Sequence, residues 1–243
     1  MSTLCILPKK RGIRMLKKII FTGVLTVLLL LFGMSEKNKY TDITRNNDWM
    51  QGAEVASNGN IADKCIIMKE ILPQSPIICK VKVLDDIEII TEGGKQKAII
   101  EEVYKGEISE GEEVYLYSTD WYLTLPVESS KQKVPFFNIR KTNIPCVGKE
   151  YLVFASETIQ EKKGTLLVLF PSENISVTPI FCYEDSINVV VMPDGHDGTA
   201  IPYETVKNNE FILPSEEDLR YMEETKKYLL EYFIYGDKVY IMV

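Results

Sequence analysis

Short apolar runs, separated by polar or glycine-containing turns, constrain the fold of this chain more than any other feature. In the first run, residues 77–84, Cys79, Val81 and Val83 alternate with two lysines. This alternation predicts a strand with one buried face. Because no helical pattern interrupts the runs that follow, the series predicts an antiparallel barrel or sandwich and not a parallel sheet.

Further strands are predicted by the same criteria. Gly93 and Gly94 predict a turn over residues 91–95, after which residues 97–104 return beside the first strand. The remaining predicted strands are residues 114–117, 151–155 and 165–170, with 175–178 and 187–192 as additional candidates. The strands at 151–155 and 165–170 are separated by a polar turn that ends at Gly164, and they are predicted to form a hairpin.

One helix is predicted near the C-terminus. Ser215 and Asp218 have the spacing of a helix N-cap pair, and Gly236 can end the helix. Apolar side chains fall near one face and predict packing against the barrel: Leu219, Met222, Leu229, Leu230 and Phe233. Residues 237–243 predict a final short strand.

The N-terminus carries a membrane-directing pattern. Six basic residues precede residues 19–34, which contain no charge. The basic flank distinguishes this run from a buried core helix, and its length suits a signal peptide or a short transmembrane anchor at 19–35. Residues 1–18 are then cytoplasmic and the bulk of the chain extracytoplasmic, membrane-anchored or secreted. Cleavage and a start at Met1 or Met15 both stay open.

The charge distribution separates this N-terminus from the rest. Beyond residue 35 the chain holds 22 basic and 35 acidic residues, a formal charge of −13. Nucleic acid is therefore not a predicted partner, because phosphate contacts need clustered Lys and Arg. Residues 36–63 are polar and poor in apolar side chains, which predicts a tether. Residues 64–243 are the predicted barrel domain.

Four segments carry a resemblance to a known family. They are the strand at 78–83, the EVYKG run at 102–106, the strand at 114–117 and the CVGKEYLVFA run at 146–155. Together they resemble the netrin-like domain that is shared with tissue inhibitors of metalloproteinases, over roughly residues 65–170. The resemblance implies an OB-type five-stranded barrel with flanking helices. The predicted fold is therefore mainly β, an OB-like antiparallel barrel followed by the C-terminal helix and preceded by the hydrophobic signal or anchor helix.

The same resemblance bears on inhibition. In inhibitors of this family, the mature chain begins with a Cys whose amine and carbonyl chelate the zinc of the target protease. Here no Cys follows the signal segment directly, and Cys65 lies about thirty residues beyond the plausible cleavage site. The resemblance therefore extends to the scaffold more than to the chelating edge.

Four cysteines fall in the predicted exported part: Cys65, Cys79, Cys146 and Cys182. An even number suggests two disulfides with three possible connectivities, and reduced buried thiols are the alternative. The family resemblance implies Cys65 with Cys146, which leaves Cys79 with Cys182. No Cys-x-x-Cys pair is present, so zinc binding by these residues is not predicted.

Few residues suggest chemistry. Asp194, His196 and Asp197 lie in a Pro-Asp-Gly-His-Asp-Gly run and are candidates for a metal site, although the same composition is typical of a tight turn. The spacing matches neither an EF-hand nor a zinc site. No Gly-x-Ser-x-Gly or phosphate-binding loop occurs. We therefore predict no catalytic residue and no cofactor.

A long excursion between strands contains four aromatic residues, Trp121, Tyr122, Phe136 and Phe137. They predict either a partner-binding rim or a hairpin that folds over the core. The chain as a whole is predicted to be a non-catalytic, exported, membrane-tethered β-barrel domain that binds an extracytoplasmic protein or envelope partner. The alternatives are an inhibitor of an extracellular peptidase and a metal-dependent hydrolase that uses the His196 loop.

Overall fold

The computed structural model describes residues 20–30, 53–54, 61–90, 93–124, 136–138, 141–162, 164–171, 173–190, 200–201 and 203–235. Two compact units, Met1–Arg45 and Asn46–Val243, divide the chain. In the first unit, residues 20–30 form helix α1, and its large apolar side chains are exposed. Among the described residues, no helix combines the length and apolarity that a membrane crossing requires.

The second unit is mainly β. Its strands are β1 (Ala53–Glu54), β2 (Ile77–Val83), β3 (Glu88–Ile90), β4 (Gly93–Lys105), β5 (Glu113–Ser118), β6 (Tyr122–Thr124), β7 (Phe136–Asn138), β8 (Glu150–Glu161), β9 (Gly164–Leu169), β10 (Ile180–Cys182) and β11 (Ala200–Ile201). Its helices are α2 (Ile61–Ile71), α3 (Tyr203–Val206) and α4 (Glu216–Tyr235), with a 3-10 turn at Leu72–Gln74.

Five strands close into a barrel in the order β8–β2–β4–β5–β9, and β9 pairs back with β8. The β5–β9 pairing is parallel, and the other four are antiparallel. The predicted alternation of β2 is confirmed, since Cys79, Val81 and Val83 are buried while Lys82 is exposed. Register shifts in β2–β4 and β8–β9 mark irregularities of the kind that bends strands around a barrel.

The chain reverses within the predicted turn of residues 91–95, because Ile90 of β3 pairs with Gly93 of β4, but the two glycines are strand residues and not turn residues. Both glycines belong to β4 and pair with β3, and Gly94 also pairs with Ser118 of β5. A Cβ on Gly94 would lie 2.7 Å from the Cβ of Trp121. Glycine is therefore required here by the close approach of a buried indole side chain.

Two further strand predictions differ from the structure. Residues 175–178 form turns and bends instead of a strand, and β10 follows them. Residues 187–190 have no regular structure, and 191–192 lie outside the described residues. Side-chain amides hold this segment instead of a strand ladder: Asn188 Oδ1 accepts hydrogen bonds from the N–H groups of Glu210 and Phe211, at 2.8 and 3.0 Å.

The C-terminal helix is confirmed as α4. The Asp218 N–H donates to Ser215 Oγ at 3.1 Å, as the predicted N-cap requires. Four of the predicted apolar residues are buried, and Phe233 is partly buried. Gly236 and the predicted strand at 237–243 lie outside the described residues.

Helix α2 was not predicted. It begins at Ile61, three residues before the expected domain start, and buries Ile61, Cys65 and Met68. Their spacing of four and three residues is that of one helical face. Within the predicted tether, β1 also pairs with β7 and β11, in a small sheet of order β11–β1–β7–β6. The main core lies where α2 and α4 meet residues of β2, β8 and β10.

Candidate functional site

The four predicted aromatic residues lie in different places in the structure. Trp121 is completely buried, as expected if this residue packs over the core. Its side chain is therefore not available for contact with a partner. Tyr122, the next residue, is 43% exposed at the start of β6. Phe136 and Phe137 lie in β7, where Phe137 pairs with Leu123. Only Tyr122 is therefore established as an accessible aromatic of this group.

Asp194, His196 and Asp197 lie outside the described residues. Within the part of the chain that the structure describes, no group of three or more His, Cys, Asp or Glu residues is arranged to hold a metal ion.

The predicted disulfides are wrong for this structure, in which all four described cysteines are free. Cys79 pairs in register with Val153 of β8, and Val153 pairs with Ile180 of β10, the strand that ends at Cys182. Two strand spacings, about 9.5 Å, therefore separate the strands of Cys79 and Cys182. A disulfide needs Cα atoms within about 7 Å.

The two cysteines of the other predicted pair, Cys65 and Cys146, lie in different environments. Cys65 is enclosed in the core cluster of α2 and α4, whereas Cys146 is exposed in the turn before β8. Burial raises the pKa of the Cys65 and Cys182 thiols and raises that of Cys79 to about 12. These three buried thiols are therefore poor nucleophiles at neutral pH.

A small polar cavity lies beside Cys146 and Cys182. Its volume is about 20 Å³, and Tyr151 and Glu210 also line it. The buried Thr142 hydroxyl lines the same cavity and has no hydrogen-bond partner among the described residues. The volume is sufficient for a water molecule. It is far below the several hundred Å³ of a typical small-molecule site.

Glu210 organises the wall of this cavity. Its carboxylate accepts hydrogen bonds from the Cys182 N–H at 2.7 Å and from Ser186 Oγ at 2.6 Å. Lys226 of α4 pairs with the same carboxylate at 2.5 Å, and both side chains are largely buried. The carboxylate is thus fully occupied in joining β10, the irregular segment after it and α4. This geometry is structural and leaves no free base.

A second polar cluster lies on the outer face of the barrel. Lys80 pairs with Glu101 at 3.3 Å and with Glu150, and its ammonium lies 5.2 Å from the ring centroid of Tyr183. The Tyr183 and Tyr104 hydroxyls share a hydrogen bond of 2.8 Å. Burial raises the pKa of both tyrosines, so both are neutral hydroxyls at physiological pH.

The second half of β8 is an exposed part of the barrel. Strand β8 pairs with β2 only up to Ala155, and beyond that residue its described pairing is with β9 alone. We call residues 157–161 the distal half; all five are exposed, and Ile159 is 42% exposed. The predicted strand ended at residue 155, because a single isoleucine among polar residues gives a weak strand signal.

The distal half has two distinct faces. Glu157, Ile159 and Glu161 alternate along one face, and Thr158 and Gln160 lie on the other. Gln160 Nε2 donates to Thr165 Oγ1 of β9 at 3.0 Å, which fixes the second face to the neighbouring strand. The first face therefore presents one apolar side chain between two carboxylates.

Neither protein-family models nor curated proteins include a match to this chain.

Proposed function

We propose that the five-stranded barrel is an OB-type barrel of the netrin-like kind. Its strand order supports this proposal: β2, β4 and β5 form an antiparallel meander, and β9 joins β5 in parallel before pairing with β8. An OB-fold is a five-stranded Greek-key barrel. Helices α2 and α4 stand before and after the barrel strands, in keeping with flanking helices.

We further propose that this domain is non-catalytic and binds an extracytoplasmic protein or envelope partner. The observation that carries the proposal is the distal half of β8, a regular strand with exposed residues and no described partner on one edge. Strand edges of this kind pair readily with other chains. The Glu210 and Lys80 clusters, by contrast, are held in internal pairs.

Export and membrane tethering are part of the same proposal. Six basic residues precede the uncharged run at 19–34, and the apolar side chains of α1 are exposed. A basic flank before an apolar segment favours a cytoplasmic N-terminus. The barrel would then lie outside the cytoplasm, where an exposed strand edge meets extracytoplasmic proteins.

Inhibition through Cys65 receives no support from the geometry. Cys65 is the fifth residue of α2, and it is buried in the core cluster. A zinc ion cannot be chelated by its amine and carbonyl while that residue lies within a folded helix. Catalysis by the His196 loop has no described geometry on which to rest.

The test is site-specific photocrosslinking with the full-length chain in cells. A photoreactive amino acid replaces, one at a time, three exposed apolar residues, Tyr122, Ile159 and Tyr228, with Glu107 as an exposed polar control. We expect a discrete adduct with one extracytoplasmic protein from at least one apolar position, in the membrane fraction, and none from the control. Failure of all three positions, or recovery of the chain only from the cytosol, would contradict the proposal.

A further inference from the structure

We propose that the distal half of β8 binds its partner by strand addition, and that the added strand carries basic residues on both sides of an apolar one. This inference rests on the partner-binding function proposed above and names its site and the chemistry of its partner. It assigns recognition to residues 157–161, outside both polar clusters.

The backbone supplies the first part of the argument. The first half of β8, residues 150–155, pairs with β2 on one side and, through residues 151–153, with β10 on the other. The distal half pairs with β9 on one side and has no described strand on the other. In a strand paired on one side, alternate N–H and C=O groups point away from the partner and can accept an extended peptide.

The side chains supply the second part. Glu157 and Glu161 flank Ile159 on one face of the distal half. In an added strand, the three residues directly opposite Glu157, Ile159 and Glu161 would have side chains close enough to interact with them. Opposite charges across such pairs stabilise and like charges destabilise. The complementary segment is therefore Lys or Arg, any residue, an apolar residue, any residue, and Lys or Arg.

The same charges argue against a second copy of this chain. Antiparallel pairing of two distal halves about Ile159 would place Glu157 of each copy opposite Glu161 of the other. Parallel pairing in register would place each glutamate opposite its equivalent. Both arrangements place like charges directly opposite each other, which is destabilising. The formal charge of −7 on each chain adds to the repulsion between two copies. An external basic segment avoids this repulsion.

The experiment uses the purified full-length chain in detergent and a labelled synthetic peptide, Thr-Lys-Thr-Val-Thr-Lys-Thr. Fluorescence anisotropy compares it with an acidic counterpart, Thr-Glu-Thr-Val-Thr-Glu-Thr, and with a version of the basic peptide that is N-methylated at alternate residues. We expect the basic peptide to bind about tenfold more tightly than the acidic one, from two opposite-charge cross-strand pairs. N-methylation should abolish binding, because it removes backbone donors without changing charge.

Protein variants provide the decisive comparison. Glu157→Lys/Glu161→Lys should invert the preference, so that the acidic peptide binds more tightly. Glu107→Lys/Glu110→Lys changes the net charge equally at two exposed loop residues and should keep the preference for the basic peptide. Inversion by both double variants would show a general charge effect and overturn the proposal. Equal binding of the methylated and unmethylated peptides would also overturn it.

Two outcomes separate this inference from the function on which it rests. A crosslinked partner from Tyr122 or Tyr228, but not from Ile159, would leave partner binding in place and overturn strand addition. A dimer in analytical ultracentrifugation that Ile159→Lys abolishes would make a second copy the occupant and would likewise overturn it. An adduct from Ile159 together with the inverted peptide preference would support both.

Discussion

The two halves of β8 are continuous in sequence and opposite in environment. Residues 151–155 are all buried, whereas residues 157–161 are all exposed. The first half joins the barrel to the helical core, whereas the second half pairs, among the described strands, with β9 alone. One strand therefore contributes both to stability and to the surface that we propose for binding. Substitutions in the two halves should have separable effects.

The largest expected effect is a difference between the two halves of β8 in how much a substitution lowers the free energy of unfolding. Phe154 is fully buried and lies edge-on to Phe181 and Phe233, with centroid distances of 6.1 and 5.6 Å. Phe154→Ala should lower the free energy of unfolding by about 3–5 kcal/mol, because it leaves a cavity between β8 and the helices. Ile159→Ala, the matched change in the distal half, should cost less than about 1 kcal/mol. Urea denaturation followed by circular dichroism measures both, and equal losses would contradict the comparison.

The next prediction concerns the ion pair between Glu210 and Lys226. Glu210 binds the backbone of β10, which pairs with the first half of β8. Lys226→Met should lower the free energy of unfolding by about 3 kcal/mol, because it leaves the buried Glu210 carboxylate without its cation. Lys227→Met is the control: Lys227 is the next residue, and its side chain is 75% exposed. That variant should change stability by less than about 0.5 kcal/mol. If both substitutions cost the same, the ion pair does not anchor β10 beside β8.

Thiol reactivity gives a third, smaller measure. Cys79 lies opposite Val153 in the first half of β8, and burial raises its pKa to about 12. Iodoacetamide at neutral pH should therefore modify the exposed Cys146 at least about tenfold faster than Cys79. Peptide mass spectrometry after timed quenching measures the two rates. Labelling in denaturant is the control and should make the rates similar; similar rates in the native protein would mean that this half of β8 opens readily.

The strands of the barrel could largely be predicted from sequence because their signals are local. Alternation identified β2, and Ser215 with Asp218 identified the start of α4. The spacing of Ile61, Cys65 and Met68 also contained the signal for α2, but the polar residues before it suggested a tether that continued to residue 63.

The candidate site depended on pairings between distant residues. The length of β8 is set by its ladder with β9, because residues 157–161 contain one apolar side chain. The burial of Trp121 depends on the space above Gly94 in another strand. The pair of Glu210 and Lys226 joins charged residues, which are usually solvent-exposed in a folded protein. No local pattern could identify these three features.

The smallest predicted effect concerns the outer face of the first half. A hydrogen bond from Lys80 holds the pKa of Glu150 below its ordinary value of 4.5. A carboxyl with a depressed folded pKa stabilises the protein above its unfolded pKa, and this contribution is lost as the pH falls through the folded pKa. Glu150→Gln should therefore cost up to about 1 kcal/mol at neutral pH, because Glu150 is partly exposed. The difference from the unsubstituted protein should shrink below pH 4.5 in urea titrations at a series of pH values. Glu161→Gln, at the exposed end of the distal half, is the matched control and should cost less at neutral pH; a cost for Glu150→Gln that grows on acidification would rule out the Lys80 pair as its source.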